Sequence, residues 1–450
     1  MQHLFSRLTM LALLGLAATP AARAQAPWAP APVLPWDAYY GATGGSTVET
    51  LQLAGPALWA TSTFSGSLGV VQSTVHTSTD QGQTWQTKVL ASYNGPAGTV
   101  LEDCWTLDGQ TAWAVVSTRS GGVRDGMQLF KSTTGLAGKS FEQVTNPVAG
   151  TRLKAVRSFS ATRAVALTYP DEATPTTWPF LLTTDGGQTW APVAQPLPRL
   201  PNDQLGSITV LGSHLWVTTR SGQVLHTPDQ GQTWQSSTTG LQLELQGTAF
   251  HDALHGLAYS SNQLLRTTDG GQTWTPVPYA KPQLLTTLVA VPGAPRHYLS
   301  AGASYQSTAN AQDGTSLSTD DGATWTTIDA KAHSLLAAGS PTQAWASQFE
   351  NGVRSNPALV KYAGVALPTQ RATAAEVTLY PNPTTNTVTL PAAGRYQRAT
   401  VVDALGRSRQ VVALTAAPLG LALAPFGAGL YTIVLEGAQV RQSTAVVVLP

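Results

Sequence analysis

Five aspartates occupy the same position in an eight-residue segment that recurs along the chain. The octets read STDQGQTW (residues 78–85), TTDGGQTW (183–190), TPDQGQTW (227–234), TTDGGQTW (267–274) and STDDGATW (318–325). Carboxylates of this kind can bind calcium or act as acids and bases. Equivalent residues of a repeat are distributed along the protein, however, and cannot converge on one site. We therefore predict that each aspartate accepts hydrogen bonds from backbone N–H groups in its own tight turn.

The aromatic residue that ends each octet is predicted to cover the seam between neighbouring repeats, since a buried tryptophan removes on the order of 200 Å² from water. The octet glycines fit a tight turn because glycine tolerates positive φ. The predicted structural set is Asp80, Trp85, Asp185, Trp190, Asp229, Trp234, Asp269, Trp274, Asp320 and Trp325.

The octets belong to a longer repeat. With Phe141 of a worn sixth copy included, the terminal aromatic residues recur every 48 residues on average, and two apolar runs precede each octet. This period and pattern are typical of a four-stranded propeller blade. A seventh pair of apolar runs, at 343–349 and 358–362, has no octet after it. Residues 28–33 are predicted to supply its outer strand, because the segment WAPAPVLP that they begin resembles WAPVAQPLP at 190–198.

The expected fold is all-β, with a seven-bladed β-propeller over residues 25–366 that the N-terminal strand closes. Closing the ring in this way removes an exposed sheet edge. Residues 367–375 carry Pro, Thr and Ala without aromatics and are predicted to form a linker. Residues 376–450 contain six strand-like runs separated by turn signals, which predict a small immunoglobulin-like β-sandwich.

The N-terminus is typical of a cleaved secretory signal over residues 1–24. Arg7 lies in a short polar start, an apolar run follows at 8–18, and Ala22-Arg23-Ala24 precedes the expected cleavage site. The apolar run is too short for the roughly 20 residues that span a bilayer. No other stretch is long and apolar enough, so no transmembrane segment is expected.

Composition narrows the possible ligands. The chain carries 25 Lys and Arg against 24 Asp and Glu, and its formal net charge is +1. Binding to nucleic acid or anionic membranes needs a strong positive field, so neither is expected. Cys104 is the single cysteine, which excludes an intrachain disulfide and a Cys-based zinc site. Two histidines lie four apart at 251–255 (HDALH), but we interpret this segment as a turn with incidental histidines and predict no metal or cofactor.

The C-terminal segment carries three recognisable motifs. LYPNPTTNTVTL (379–390), VVDALGRSRQ (401–410) and GLYTIVLEG (429–437) resemble the type A C-terminal sorting domain of the bacterial type IX secretion system. The resemblance implies recognition by the type IX machinery, export across the outer membrane, removal of the domain, and release or attachment at the cell surface. The tail VVVLP departs from the pattern, because it lacks the basic residue often found there.

The octets resemble the Asp-box, or bacterial neuraminidase repeat. The block GLAYSSNQLLRTTDGGQTWTPV (256–277) is also similar to the repeat of the photosystem II assembly and stability factor propellers. That resemblance covers the repeat region and implies a seven-bladed binding scaffold. It cannot imply the photosystem partner in an exported protein.

A binding surface is predicted opposite the octets, where the connections between the second and third strands of each blade converge. Long connections are predicted at 65–74, 119–126, 170–178, 302–314 and 350–356, and they hold much of the chain's scarce charge together with aromatic residues. Such a surface suits a polar ligand such as a glycan or a peptide. The candidate ligand-binding residues are Arg119, Arg124, Asp171, Glu172, Arg220, Tyr305, Glu350 and Arg354.

Three functions fit this sequence, and the first is a non-catalytic binding scaffold. The second is a glycoside hydrolase, in which Asp171 or Glu172 could pair with Glu350. A sialidase is disfavoured, because its family places an arginine of the substrate-binding triad in the first blade and no arginine lies between Arg23 and Arg119. The third is an adhesion or surface-layer component. The lack of catalytic motifs favours the scaffold.

Overall fold

The structure is a computed structural model. It describes residues 28–30, 45–66, 69–94, 97–120, 123–136, 141–144, 152–169, 176–241, 244–278, 285–304, 313–349, 358–362, 379–390, 396–403, 407–415, 417–436 and 441–449. The chain divides into two compact units, Met1–Thr369 and Gln370–Pro450, and the division falls within the predicted linker.

The first unit is built from short antiparallel strands. They are β1 (Trp28–Pro30), β2 (Gly45–Ala54), β3 (Ala57–Ser65), β4 (Val70–Ser78), β5 (Gln86–Asn94), β6 (Ala97–Thr106), β7 (Ala112–Ser120), β8 (Val123–Ser132), β9 (Glu142–Val144), β10 (Arg152–Ser158), β11 (Ala164–Tyr169), β12 (Thr177–Trp178), β13 (Leu181–Thr183), β14 (Ala191–Pro192), β15 (Leu197–Pro198), β16 (Leu205–Leu211), β17 (His214–Thr219), β18 (Gln223–Thr227), β19 (Gln235–Thr238), β20 (Gly247–Phe250), β21 (Gly256–Tyr259), β22 (Leu264–Thr267), β23 (Thr275–Pro276), β24 (Thr287–Ala290), β25 (Tyr298–Gly302), β26 (Gly314–Ser318), β27 (Thr326–Asp329), β28 (His333–Ser340), β29 (Gln343–Gln348) and β30 (Ala358–Tyr362).

These strands pair with their sequence neighbours in groups of four. Strands β2–β9 form one eight-stranded sheet, in which β5 pairs with β6 and joins two such groups. The next groups are β10-β11-β13-β14, β16–β19, β20–β23 and β24–β27, and β12 pairs separately with β15. The last group is β28-β29-β30 with β1 as its outermost strand. The unit is therefore all-β, as the sequence predicts.

Antiparallel pairing divides the turns between two opposite faces. Turns between the first and second strands of a group, and the octets between the third and fourth, lie at one end of the strands. We call this end the octet face. Connections between the second and third strands, and those that lead from one group to the next, lie at the other end. We call it the hairpin face.

The N-terminal strand is held by both backbone and side-chain contacts. Trp28 pairs with Tyr362 in the β1–β30 ladder, and its ring meets the Tyr362 ring edge-on at 5.4 Å. The indole Nε1 donates a hydrogen bond to Thr315 Oγ1 at 2.9 Å. Only 5% of Trp28 is exposed. Residues 31–33 of the predicted strand lie outside the described residues.

Apolar seams hold the groups together. Each group shares one cluster of buried side chains with the group before it and another with the group after it, and one cluster joins β2–β5 to the last group. Fully buried tryptophans of second strands, such as Trp113 and Trp216, belong to these clusters. Each octet tryptophan also packs in one of the seams; Trp234 alone among the five is buried, and the other four are partly exposed. The second-strand residue and the octet residue thus share the seam.

The octet glycine belongs to the same seam. Gly82 lies at φ +79° and Gly187 at φ +93°, and a Cβ added to either would come within 2.6 Å of a tryptophan ring of the preceding group, Trp345 or Trp113. The turn therefore needs glycine for its backbone angle and for its close approach to the neighbouring sheet.

Two connections that the sequence predicts as long loops are mostly strand. The loop expected at 65–74 is reduced to residues 66–69, and the loop expected at 119–126 is reduced to residues 121–122. The segment VVQSTVHTS of β4 is rich in the β-branched residues valine and threonine, which suit a ladder between two partners. Loop prediction from polarity failed here, because threonine is polar but, as a β-branched residue, favours strands.

The second unit contains two sheets around one apolar cluster. Its strands are β31 (Thr387–Leu390), β32 (Arg398–Asp403), β33 (Ser408–Ala413), β34 (Leu419–Ala422), β35 (Gly429–Glu436) and β36 (Arg441–Val448), with a 3-10 turn at Ala424–Phe426. Strand β31 pairs with β34, and the other sheet has the order β33-β32-β35-β36. Val388, Val401 and Ile433 are fully buried in the shared cluster. The Tyr431 hydroxyl donates a hydrogen bond to the carbonyl of Phe426 at 2.6 Å.

Within the part of the chain that the structure describes, no helix is long and apolar enough to cross a membrane.

Replacing Trp28 tests the role of the N-terminal strand. We expect Trp28→Ala to lower the free energy of unfolding of the first unit by about 3–5 kcal/mol, the usual cost of removing a large buried aromatic side chain. Trp28→Phe keeps a ring against Tyr362 but loses the hydrogen bond to Thr315 and should cost less. Urea unfolding followed by tryptophan fluorescence measures both. Equal losses for the two variants would contradict a packing role.

Candidate functional site

Each octet aspartate is committed to its own turn. In the second complete octet, Thr183 Oγ1 donates to Asp185 Oδ1 at 2.8 Å, and the Thr189 backbone N–H donates to the same oxygen at 2.9 Å. The Thr189 hydroxyl donates to Asp185 Oδ2, and Gly187 N–H donates to Thr183 Oγ1. The same pattern recurs at Asp80, Asp229, Asp269 and Asp320.

These hydrogen bonds favour the ionised carboxylate. Donation from the side chain and backbone of Thr84 lowers the pKa of Asp80 to about 2. Burial works to raise the pKa of Asp269, but hydrogen bonds from Thr273 and Thr267 outweigh it and lower the pKa to about 2. A carboxyl group with so low a pKa is a poor general acid at neutral pH. The octets thus act as structural turns in this geometry.

The structure describes only part of the predicted ligand-binding set. Arg119 and Arg220 lie on the hairpin face, at the ends of the second strands of two different groups. Arg124 lies in β8, where its backbone pairs with Arg119. The remaining five candidates lie outside the described residues; they are Asp171, Glu172, Tyr305, Glu350 and Arg354.

Arg119 is held against an aromatic ring. Its guanidinium carbon lies 4.8 Å from the centroid of Tyr93, which is within cation–π distance. Its Nε is buried and has no hydrogen-bond partner among the described residues. A Cβ on Gly98 would overlap the Tyr93 backbone at 2.4 Å, so a glycine is needed where the chain turns beneath this ring.

Arg220 forms a loose ion pair in an exposed position. Its Nε lies 3.9 Å from Glu244 Oε2, and 63% of the Arg220 side chain and 64% of the Glu244 side chain are exposed. A pair this open contributes little to stability, because water screens both charges. The guanidinium is therefore available to a ligand at small cost.

A buried carboxylate fixes the hairpin that carries Arg220. Asp203 is 3% exposed, and its Oδ1 accepts hydrogen bonds from the backbone N–H groups of Gln204 and Ser221. Its Oδ2 accepts from the Ser221 hydroxyl. Because Ser221 follows Arg220 directly, these bonds hold the base of the arginine in place while its tip stays in solvent.

Arg199 extends the same surface. Its Nε and Nη2 donate to the Asp203 carbonyl at 3.1 and 2.8 Å, and its guanidinium carbon lies 5.3 Å from the centroid of the buried Trp178 ring. Leu200 beside it is 46% exposed. We call the set Arg199, Leu200, Asp203, Arg220 and Glu244 the Arg220 patch.

Sequence reasoning found one residue of this patch. Arg199, Asp203 and Glu244 were missed because each lies in a connection between groups, whereas the predicted binding surface was based on connections within a group. The excess of charge around residues 199–203 was a usable signal. The pairing of β12 with β15, which brings Trp178 beneath this segment, has no recognisable signal in the sequence.

Other polar clusters are buried in the sheets. Arg157 makes a bidentate ion pair with Asp103, with Nη–Oδ distances of 2.6 and 3.0 Å, between β10 and β6. His76 lies between the hydroxyls of Ser62 and Thr87, and burial lowers its pKa to about 4, so it is neutral at pH 7. Burial also raises the pKa of the Cys104 thiol far above its ordinary value, which keeps the thiol protonated.

One group of side chains has donor atoms within metal-ligating reach of one another among the residues described. It consists of His251, Asp252 and His255, in the turn between β20 and β21 on the octet face.

Comparison with known proteins supports the fold. Residues 175–249 match the family model described as "Photosynthesis system II assembly factor YCF48". YCF48 from Cyanidioschyzon merolae is 14% identical, with a TM-score of 0.50 over 75% of this chain and 99% of that one. YCF48 bound to a D1 peptide is 15% identical, with a TM-score of 0.48 over 75% and 96%. The Hadza microbial sialidase Hz136 is 16% identical, with a TM-score of 0.40 over 70% and 65%. No curated protein sequence matches this chain. The first unit is thus a β-propeller of the Asp-box type.

Acid should weaken the octet turns in a defined pH range. Since the pKa of Asp269 falls from 3.8 to about 2 on folding, its ionised form stabilises the fold above pH 4, and this contribution is lost as pH falls from about 4 to 2. We expect Asp269→Asn to cost about 1 kcal/mol at pH 7, since the amide cannot accept the Thr273 hydroxyl. It should also make stability less sensitive to pH in this range. Urea unfolding at pH 7, 4 and 2.5 measures both effects, and an unchanged pH dependence would contradict the assignment.

Proposed function

We propose that this protein is an exported bacterial β-propeller that binds an extracellular protein or glycan ligand without catalysing a reaction. The observation that carries the proposal is the division of charge between the two faces. The recurring third-position aspartates of the octets, on one face, are bound within their own turns, whereas Arg220 and Glu244 on the other face are about two-thirds exposed and only loosely paired.

The proposed scaffold is a ring of seven blades. Each four-stranded group is one blade, and β1 completes the seventh by pairing with β30. The apolar cluster that joins β2–β5 to the last group supports closure, because such a cluster requires the first and last groups to be neighbours. Closed propellers leave only short, protected sheet edges and bind ligands with their loops.

The Arg220 patch is the proposed ligand contact. All five of its residues lie within 175–249, the segment that matches the YCF48 family model. A guanidinium pairs with a carboxylate through two parallel hydrogen bonds, and Leu200 offers adjacent apolar surface. We therefore expect a ligand with an exposed carboxylate, either an acidic peptide or an acidic glycan. Glu244 would exchange its loose contact with Arg220 for solvent when the ligand binds.

The second unit is proposed to direct export. Its motifs resemble the type A sorting domain, and its two sheets around one apolar cluster support a small immunoglobulin-like sandwich. With the N-terminal signal, this predicts passage through the periplasm, recognition by the type IX machinery, and a final position outside the cell or attached to the outer-membrane surface. An adhesion or surface-layer role would use the same location.

Arrays of acidic and neutral peptides and oligosaccharides test the binding role. We expect the full chain to bind acidic members, and Arg220→Ala to weaken that binding about tenfold or more, since hydrogen bonds to a charged group contribute about 1.5–3 kcal/mol. Arg296→Ala is the matched control, because this arginine is also exposed and carboxylate-paired but lies on the octet face. Equal binding by the Arg220 variant would refute this site. Cleavage products in mass spectra of the incubated glycans would instead favour the hydrolase.

Deletion of residues 370–450 tests the export role. In a host with a type IX system, we expect the truncated chain to accumulate in the periplasm, while the full chain reaches the medium or the cell surface. The Asp269→Asn variant, which leaves the second unit intact, should be exported normally and controls for folding of the first unit. Fractionation with immunoblotting measures both. Export of the truncated chain at the level of the full chain would overturn the sorting assignment.

A further inference from the structure

The turn between β20 and β21 carries a largely buried imidazole. Only 7% of the His251 side chain is exposed, and its Nε2 is buried without a hydrogen bond of normal geometry within the described residues. Burying a polar group without partners is costly, and nearly all buried polar groups have one. The surroundings of this ring therefore matter, because a partner must compensate for its burial.

Both nitrogens of His251 face carboxylates at slightly longer range. Nδ1 lies 3.3 Å from Asp252 Oδ2, and Nε2 lies 3.4 Å from Asp321 Oδ1. Asp321 Oδ1 is itself buried without a hydrogen-bond partner. Asp321 belongs to the octet of the next group, so the imidazole lies across the seam between β20–β23 and β24–β27.

His255 completes the arrangement on the solvent side. Its Nδ1 lies 2.9 Å from Asp252 Oδ2, and its ring stacks on the His251 ring at 5.4 Å with an angle of 5°. Donor atoms of His251, Asp252 and His255 all lie within 4.8 Å of one another. His255 is 43% exposed, so the group is open to ions from solvent.

The backbone of the turn holds Asp252 in place through hydrogen bonds to one of its two carboxylate oxygens. Asp252 Oδ1 accepts the backbone N–H groups of Leu254 and His255, at 2.8 and 2.7 Å. Gly270 N–H donates to the carbonyl of Leu254 and ties the turn to the octet of its own group. Oδ1 thus fixes the backbone and also lies 3.0 Å from His255 Nδ1, while Oδ2 faces both imidazoles.

A turn of this kind does not require histidines. In the turn between β6 and β7, Asp108 Oδ1 accepts the backbone N–H groups of Gln110 and Thr111 in the same way, with no imidazole nearby in the turn. The two histidines around Asp252 are therefore additional to what the turn needs. The geometry gives them a different role from the one expected of incidental turn residues.

We propose that His251 Nδ1, Asp252 Oδ2 and His255 Nδ1 bind one divalent transition-metal ion of the Zn²⁺ class. Two imidazoles and one carboxylate are donors that Zn²⁺ accepts in tetrahedral sites, with bonds of about 2.0–2.2 Å. In such a site the donor atoms are roughly 3.3 Å apart, and the pairs with Asp252 Oδ2 lie at 3.3 and 2.9 Å. Water would fill the remaining position.

Asp321 is the positioning residue for this site. A ligating histidine usually gives its other ring N–H to a carboxylate, which fixes the tautomer and the ring orientation. Asp321 Oδ1 stands opposite Nε2 of His251, and Arg296 Nε binds the other oxygen of Asp321 at 2.8 Å. The ion would therefore link the turn of one group to the octet of the next and stabilise their seam.

Isothermal titration of the full, metal-free chain with Zn²⁺ tests the proposal, with any affinity tag free of histidine. We expect saturable binding of one ion per chain. His255→Ala, at an exposed position, should abolish it. Asp252→Asn should also abolish it, because the amide keeps the Oδ1 acceptor that fixes the turn but replaces Oδ2 with a nitrogen that carries hydrogens. Asp108→Asn is the matched control and should bind like the parent chain.

A second measurement reports the ligands directly. With Co²⁺ in place of Zn²⁺, the parent chain should show visible absorption typical of nitrogen–oxygen coordination, and His255→Ala should not. Asp321→Asn should weaken Zn²⁺ binding about 10–100-fold without changing the number of ions bound. Circular dichroism of each variant checks folding. Absence of saturable binding by the parent chain, or unchanged binding by His255→Ala, would overturn the site. Unchanged affinity of Asp321→Asn would overturn the positioning role.

Discussion

The contact between an octet glycine and the second strand of the preceding group is the constraint on which the first unit depends. A four-stranded sheet has two broad faces, and each must be covered by a neighbour. Gly82 and Gly187 let the octet turn approach the buried Trp345 and Trp113, at distances where any Cβ would collide with the ring. The turn can come so close because its aspartate and its first Ser or Thr accept backbone N–H groups internally, which satisfies these groups against the apolar seam.

This constraint explains why the recurring octet aspartates are bound within their own turns rather than gathered at one site. The aspartates recur because five of the groups use the same turn to approach the neighbouring sheet, and their hydrogen bonds keep them ionised within it. Residues free of the seam lie on the hairpin face or on the exposed tips of the octet face, and these are the positions where the sequence varies from group to group. Arg220 and His255, which is 43% exposed, both belong to this variable class.

The sequence predicted the repeat, the β-class and the role of the octets, because these depend on local patterns that recur. It also located the last group's missing outer strand, since Trp28 resembles an octet tryptophan in its local sequence and pairs with Tyr362. It misjudged the strands around residues 65–74, where serine and threonine extend a ladder rather than form a loop. It missed Asp203 and Glu244, whose importance depends on contacts between segments that no local pattern reveals.

The turn at residues 251–255 shows what a local sequence pattern cannot predict when a residue of the neighbouring group contributes to the site. From the sequence, two histidines four apart in a turn have no helix to align them, and an incidental role is the natural interpretation. The structure adds two facts that the spacing lacks: Asp252 uses one oxygen for the turn and turns the other toward both rings, and Asp321 arrives from the next group. The packing of neighbouring sheets thus builds the proposed ion site from one turn plus a residue about 70 positions away, and the same packing supplies its rigidity. Because the seam already fixes the backbone on both sides, few conformations are lost when a ligand binds, so even three donors can form an ordered site.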